Sequence, residues 1–196
     1  MVKKLPLPPM NKDGALPHRP KLPPDLCGWS PHPTSIDEFV KRFALSPQRI
    51  ELLENFLKHR ALMRSLGLGS AFQWVNGSFV EHCEPHRPTS PRDIDVLTFA
   101  YRPIGIQSSK DFRNLLLREK VIGHAAKASL KCDSYVVDLD SSPRDLVVMV
   151  RYWFGLFSIR RSPPGGMKGF VELELDESSD DELAYQAIAE ISGSFN

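Results

Sequence analysis

Apolar residues recur along this chain with two different periods. Ile50, Leu53, Leu57 and Ala61 return every three or four positions, which is one stripe of a helix. Ser46-Pro47 supplies its N-cap and a proline at the first helical position, and Gly67 and Gly69 end it near residue 66. A shorter helix over 36–43 starts from a capping box of Ser35 with Glu38. The pattern then changes. Residues 71–76 (Phe72, Trp74, Val75) and 94–100 (Val96-Leu97-Thr98-Phe99-Ala100) are short apolar runs bounded by turn residues, and they predict two core strands. Residues 133–139, Asp-Ser-Tyr-Val-Val-Asp-Leu, predict a third. Helices are expected over 110–120, capped by Ser109 and carrying Phe112, Leu115, Leu116 and Leu117, over 121–130 with Lys127, and over 143–153 after Ser142-Pro143. Residues 155–161 and 168–175 read as a β-hairpin across Ser162-Pro163-Pro164-Gly165-Gly166, with Glu172 and Glu174 alternating against Val171, Leu173 and Leu175. The elements predict an α+β domain over 34–176, a Pro-rich arm or strap over 1–33, and an acidic, partly helical tail over 177–196 with its helix at 181–191.

Composition narrows the classes. A chain of 196 residues with 41% apolar residues suits one domain with peripheral additions. Its formal charge of +1 argues against bulk DNA or RNA binding. No stretch approaches the ~18 uninterrupted apolar residues of a membrane span. The basic N-terminus runs into Pro-Leu-Pro-Pro rather than the apolar centre of a secretory signal. Cys27, Cys83 and Cys132 are odd in number and lack paired spacing, which predicts reduced thiols in the cytoplasm. Nine prolines in residues 1–33 predict extended or polyproline II backbone. Leu16, Leu22, Leu26 and Trp29 favour a strap across the domain over a Pro-rich ligand for another protein.

The candidate chemistry lies between the first two strands. Gly77-Ser78 follows the first, and Asp93-Ile94-Asp95 opens the second after a Pro-containing loop. Residues i and i+2 of a strand share a face, so Asp93 and Asp95 project together while Ile94 and Val96 enter the opposite apolar layer. Paired carboxylates repel unless a cation sits between them, and a divalent metal answers that need. Gly77 permits close backbone approach to a ligand, and Ser78 adds a hydroxyl and an N–H, a geometry suited to phosphate. Taken singly, a Gly-Ser pair is a turn and an Asp-x-Asp a solvated strand end; their order and spacing suggest phosphoryl chemistry. In the loop, His82, Cys83, Glu84 and His86 do not match a structural zinc pattern. P-loop, dinucleotide and nucleophile-elbow signatures are absent from the sequence.

Gly-Ser followed by Asp-x-Asp resembles the signature of the polymerase-β-like nucleotidyltransferase superfamily. More widely, Ile36-Asp37-Glu38-Phe39 with Arg42-Phe43, Ser46-Pro47-Gln48-Arg49, Asn76-Gly77-Ser78-Phe79-Val80, Asp93-Ile94-Asp95-Val96 and Lys168-Gly169-Phe170-Val171 are similar to a family of short, poorly characterised bacterial nucleotidyltransferase-like proteins, over roughly residues 15–175. The chain departs from that pattern at Asn76, where Asp is common, in a longer Gly-Ser to Asp-x-Asp loop, and at Arg92 before the first Asp. The resemblance implies a small mixed β-sheet with helices packed on it. It also implies transfer of NMP from an NTP, ATP first among them, to a hydroxyl of a protein or RNA acceptor. Asp93 and Asp95 would then hold Mg²⁺ or Mn²⁺ with a third carboxylate, for which Asp133 is favoured and Asp138 stays open. Gly77, Ser78 and Lys168 would bind the triphosphate. Small relatives suggest a toxin–antitoxin or phage-defence setting. Two further readings stand beside it: an inactive nucleotide-binding or partner-recognition subunit of a larger complex, and a weaker one, an RNA-end-binding module.

Overall fold

In the computed structural model, residues 6–18, 29–68, 70–85, 90–161, 165–175 and 178–195 are described. The elements follow in the order β1 (His32–Thr34), α1 (Ile36–Phe43), α2 (Pro47–Ser65), β2 (Ala71–Asn76), β3 (Ile94–Ala100), α3 (Ser109–Arg118), α4 (Gly123–Leu130), β4 (Cys132–Asp138), α5 (Pro143–Ser158), β5 (Val171–Glu174) and α6 (Ser178–Ser192). The fold is α+β, with one five-stranded mixed sheet in the order β1-β5-β2-β3-β4. β2 lies antiparallel to both β3 and β5, whereas β1 with β5 and β3 with β4 are parallel pairs.

Alternation along the strands sorts the core into two layers. Val75, Ile94, Val96 and Leu173 face α1, α2 and α6, where Phe39, Phe43, Leu53, Phe56 and Ile188 complete the larger cluster. Trp74, Leu97, Phe99 and Val137 face α5, which buries Trp153 and Phe157 against them. Serine side chains cap four helices: Ser35, Ser46, Ser108 and Ser142 each accept from the backbone N–H three residues on. Ser108, not Ser109, is therefore the cap of α3.

Three expectations change. Helix α5 runs to Ser158 rather than stopping at 153, because Phe157 lies one turn beyond Trp153 and continues its buried stripe. The hairpin over 155–161 and 168–175 is consequently not formed. Among the described residues, the strand-like pairing of the two segments is one isolated bridge, Ile159 with Met167, and β5 pairs instead with β2 and β1. The arm also ends in a strand: His32–Thr34 adds to the sheet as β1, an edge position where Pro33 is tolerated. Residues 6–18 lie on the domain as a strap, with Leu7 and Leu16 buried and Gly169 N–H donating to the Leu16 carbonyl at 2.7 Å. Leu22, Leu26 and Cys27 fall outside the described residues, while Cys83 and Cys132 are buried free thiols. Among the described residues, no helix is long and apolar enough to cross a membrane.

The tail docks through a buried charge. Arg60 of α2 donates to Asp181 Oδ1 of α6 at 2.9 Å, to Gln73 Oε1 of β2 at 3.0 Å and to the Glu174 carbonyl at 2.9 Å. Arg64 adds a contact to Asp181 Oδ2 at 2.7 Å. Asp181→Ala leaves Arg60 buried without its counter-ion, a change that costs about 3–5 kcal/mol when one partner of a buried pair is removed. Urea unfolding of the single and double variants checks it: Arg60→Met should cost much less in the Asp181→Ala background than in the parent chain.

Candidate functional site

The parallel register of β3 with β4 sets Asp95 beside Asp133 on the sheet face that carries α5. Asp93 stands two residues before Asp95, just ahead of the strand. A cation already sits between these acids. Lys127 of α4 places its Nζ 2.7 Å from Asp93 Oδ2 and 2.9 Å from Asp133 Oδ2. Across the sheet, β2 ends at Asn76, which is in register with Asp95, and the chain leaves through Gly77 at φ 85°. A Cβ at position 77 would collide with Asp95 Oδ2, so glycine is required both by its backbone angle and by the closeness of the carboxylate. Ser78–Val80 then form a single 3₁₀ turn.

Buried charges hold this turn from behind. Lys168 Nζ donates to the Gly77 carbonyl and to Glu81 Oε1, both at 2.8 Å. Arg160 Nε reaches Glu81 Oε2 at 3.0 Å, and its Nη2 reaches the Asp13 carbonyl of the strap at 2.7 Å. Arg49, fully buried, donates to the Phe79 and Glu81 carbonyls at 2.6 Å each. Lys168 therefore binds the backbone of the Gly77 turn. Burial lowers its pKa while Glu81 opposes that shift.

Gly77, Ser78, Asp95, Asp133 and Lys168 line one cavity of about 730 Å³. Three aromatic side chains line it as well, Tyr135, Tyr152 and Trp153, with Tyr135 and Trp153 ring centroids 4.7 Å apart. Arg161 lines the same cavity and is exposed. Burial, then repulsion from Asp93 and Asp133, pushes the Asp95 pKa up to about 6, with Lys168 and Lys127 opposing. Hydrogen bonds from Lys127 to Asp133 and Asp93 push the lysine up as well. The Asn76 side-chain amide donates to the Phe157 carbonyl at 3.2 Å, and its buried Oδ1 has no partner.

The structure brings Gly77, Ser78, Asp95, Asp133 and Lys168 together and joins Asp93 to them through Lys127. Asp138 lies apart, at the far end of β4, where it accepts from Arg102 Nε at 2.8 Å and Ser109 Oγ at 2.7 Å. Of the loop residues, Glu84 pairs with Arg49 and Cys83 is buried; His86 lies outside the described residues. The sequence did not single out Glu81, the Lys127 bridge or the aromatic wall. Lys127 six residues before Asp133 was its only local signal, because α4 and β4 adjoin. A cation of Mg²⁺ type wants oxygen donors and negative charge. The donor chemistry fits: three carboxylates, one with a raised pKa, beside an unpartnered amide oxygen. No three Asp, Glu, His or Cys side chains among the described residues converge on one point, and Lys127 lies between Asp93 and Asp133.

The chain belongs to DUF6932, a family of unknown function whose model matches residues 8–174. No curated protein matches it. No solved structure matches it.

The raised Asp95 pKa has a sign that can be tested. Above about pH 6 the folded state carries a repelled carboxylate, a cost absent below the unfolded value of 3.8. Asp95→Asn should therefore raise stability at pH 7–8, by at most about 3 kcal/mol. The gain should shrink as pH falls from 6 toward 4. Urea unfolding of both chains across this range checks it, and a constant difference would contradict it.

Proposed function

We propose that this chain is a metal-dependent nucleotidyltransferase that moves NMP from an NTP, ATP first, to a hydroxyl of a protein or RNA acceptor. The observation that carries the reading is the packing of Gly77 directly on Asp95, which puts a phosphate-sized turn and a carboxylate cluster into one cavity. The resemblance of the Gly-Ser and Asp-x-Asp motifs to the polymerase-β-like superfamily supports it. The proposal puts the protein in the cytoplasm, where thiols such as Cys83 and Cys132 stay reduced. A toxin–antitoxin or phage-defence setting belongs to the same proposal.

In this reading Ser78 offers its N–H and hydroxyl to the phosphates at the open end of the Gly77 turn. Lys168 keeps that turn in place from behind, and Arg161 faces the anion from the cavity side. The aromatic wall receives the base. Asp93, Asp95 and Asp133 would hold Mg²⁺ or Mn²⁺, which supplies charge neutralisation and lowers the pKa of the acceptor hydroxyl. Lys127, about half exposed, swings out to free Asp93 and Asp133. Asp133 takes the hydroxyl proton while the acceptor oxygen bonds to the α-phosphorus and pyrophosphate leaves.

Lys127 also favours the second reading. With its ammonium kept between Asp93 and Asp133, the site binds a nucleotide without transferring it, as a subunit that recognises a partner protein. Incubation with Mg²⁺ or Mn²⁺, each α-labelled ribonucleotide and cell extract separates the two. Label transfer by the parent chain should fall about a hundredfold or more in Asp93→Asn/Asp95→Asn. Nucleotide binding without transfer would select the second reading, and neither would sink both.

A further inference from the structure

Lys127 does not treat the three acids alike. Its ammonium lies between Asp93 and Asp133, and neither contact is to Asp95. Beside Asp95 stands Asn76, its facing residue in the β2–β3 ladder. Facing residues of an antiparallel pair project to the same side of the sheet, with Cβ atoms about 4.5–5.5 Å apart. Asn76 and Asp95 both line the cavity that holds Gly77 and Ser78.

The Asn76 amide is oriented and half used. Its Nδ2 donates to the Phe157 carbonyl at 3.2 Å. That partner is an acceptor, so the amide cannot be turned end for end, and Oδ1 is the end left over. Asn76 is 5% exposed, and this oxygen is buried without a partner. A buried oxygen in that state is costly unless something completes it. Its neighbour Asp95 presents oxygens too. A divalent cation that prefers oxygen ligands satisfies both at once. The amide supplies its donor without adding a fourth negative charge to a cluster that already repels itself.

We propose that the site takes divalent cations, Mg²⁺ or Mn²⁺, in two unequal places. The first lies between Asp95 and Asn76 Oδ1 and is open to the cavity. The second lies between Asp93 and Asp133, and the Lys127 ammonium holds it closed. Nothing has to leave the first place. In the second, an ion must replace an ammonium that already meets the two carboxylates at 2.7 and 2.9 Å, so it binds more weakly. Lys127 is about half exposed and can rotate into solvent when displaced. With one ion loaded, a phosphate has a cation beside Ser78, while Lys127 still covers Asp133. That state binds a nucleotide and transfers nothing. Filling the second place uncovers Asp133, so the two readings given above become two loading states of one site. The step from binding to transfer rests on the nucleotidyltransferase reading; the order of ion binding does not.

The test titrates the full chain with Mn²⁺, without nucleotide, and follows the paramagnetic resonance signal of the free ion. The parent should bind one ion per chain, with a second weaker by about tenfold or more. Lys127→Met, at a half-exposed position, should bring the second close to the affinity of the first, and two neighbouring ions should then broaden each other's signal. Asn76→Leu should weaken the first place by about tenfold or more, whereas Asn76→Asp, which restores an oxygen, should not. Two equally tight ions in the parent, a single ion in Lys127→Met, or a first place indifferent to Asn76→Leu would overturn the proposal and leave the transferase reading to the labelling assay. No ion bound, with or without ATP, would overturn both. Ordered binding in a chain that transfers no nucleotide would keep the two places and select the binding-subunit reading.

Discussion

Glu81 is a carboxylate with almost no contact with water, and two cations share it. Burying three charges costs several kcal/mol per ion unless each is paired and hydrogen-bonded, and here each of the three is. The arrangement ties together parts of the chain that are distant in sequence. Lys168 comes from the segment leading into β5, Arg160 from the end of α5, and Asp13, bonded to Arg160, from the strap. Lys168 passes the constraint on to the Gly77 carbonyl. The turn that abuts Asp95 thus depends on a polar knot behind it as well as on the glycine at its own position 77.

In front of the turn the electrostatics are less settled. Asp95 is held beside two other carboxylates, and Lys127 neutralises two of the three rather than all. An ammonium on a flexible stem is a replaceable counter-ion. The site therefore has a resident charge that a ligand cation must compete with, and the outcome decides between catalysis and simple binding.

Much of this was legible in the sequence. The bounds of β2 and β3 follow directly from apolar runs closed by Gly77 and opened by Asp93, because a core strand between turn residues leaves little freedom. Helix starts at Ser35, Ser46 and Ser142 were visible through their capping chemistry. What failed depended on partners far along the chain. Residues 155–161 read as a strand, whereas Leu156 and Phe157 continue α5, with Phe157 against Phe170 at 5.6 Å between ring centroids. β1 was hidden in a proline-rich segment because only its pairing with β5 makes it a strand. Asp93 and Asp95 could be paired from strand periodicity, whereas the preference for Asp133 over Asp138 came from the resemblance alone. Glu81 gave no local signal that it would be enclosed, and Lys168, expected at the triphosphate, is held behind the Gly77 turn by that carboxylate.

The Arg60–Asp181 contact has a consequence for how the molecule can be handled. It anchors α6 to the layer of α1 and α2, on the reverse of the sheet from the acids and the aromatic wall. The two sides of the sheet are thereby divided into a holding side and a working side. A tether attached behind α6 would carry the protein on a surface or a larger assembly with its cavity facing outward, unobstructed.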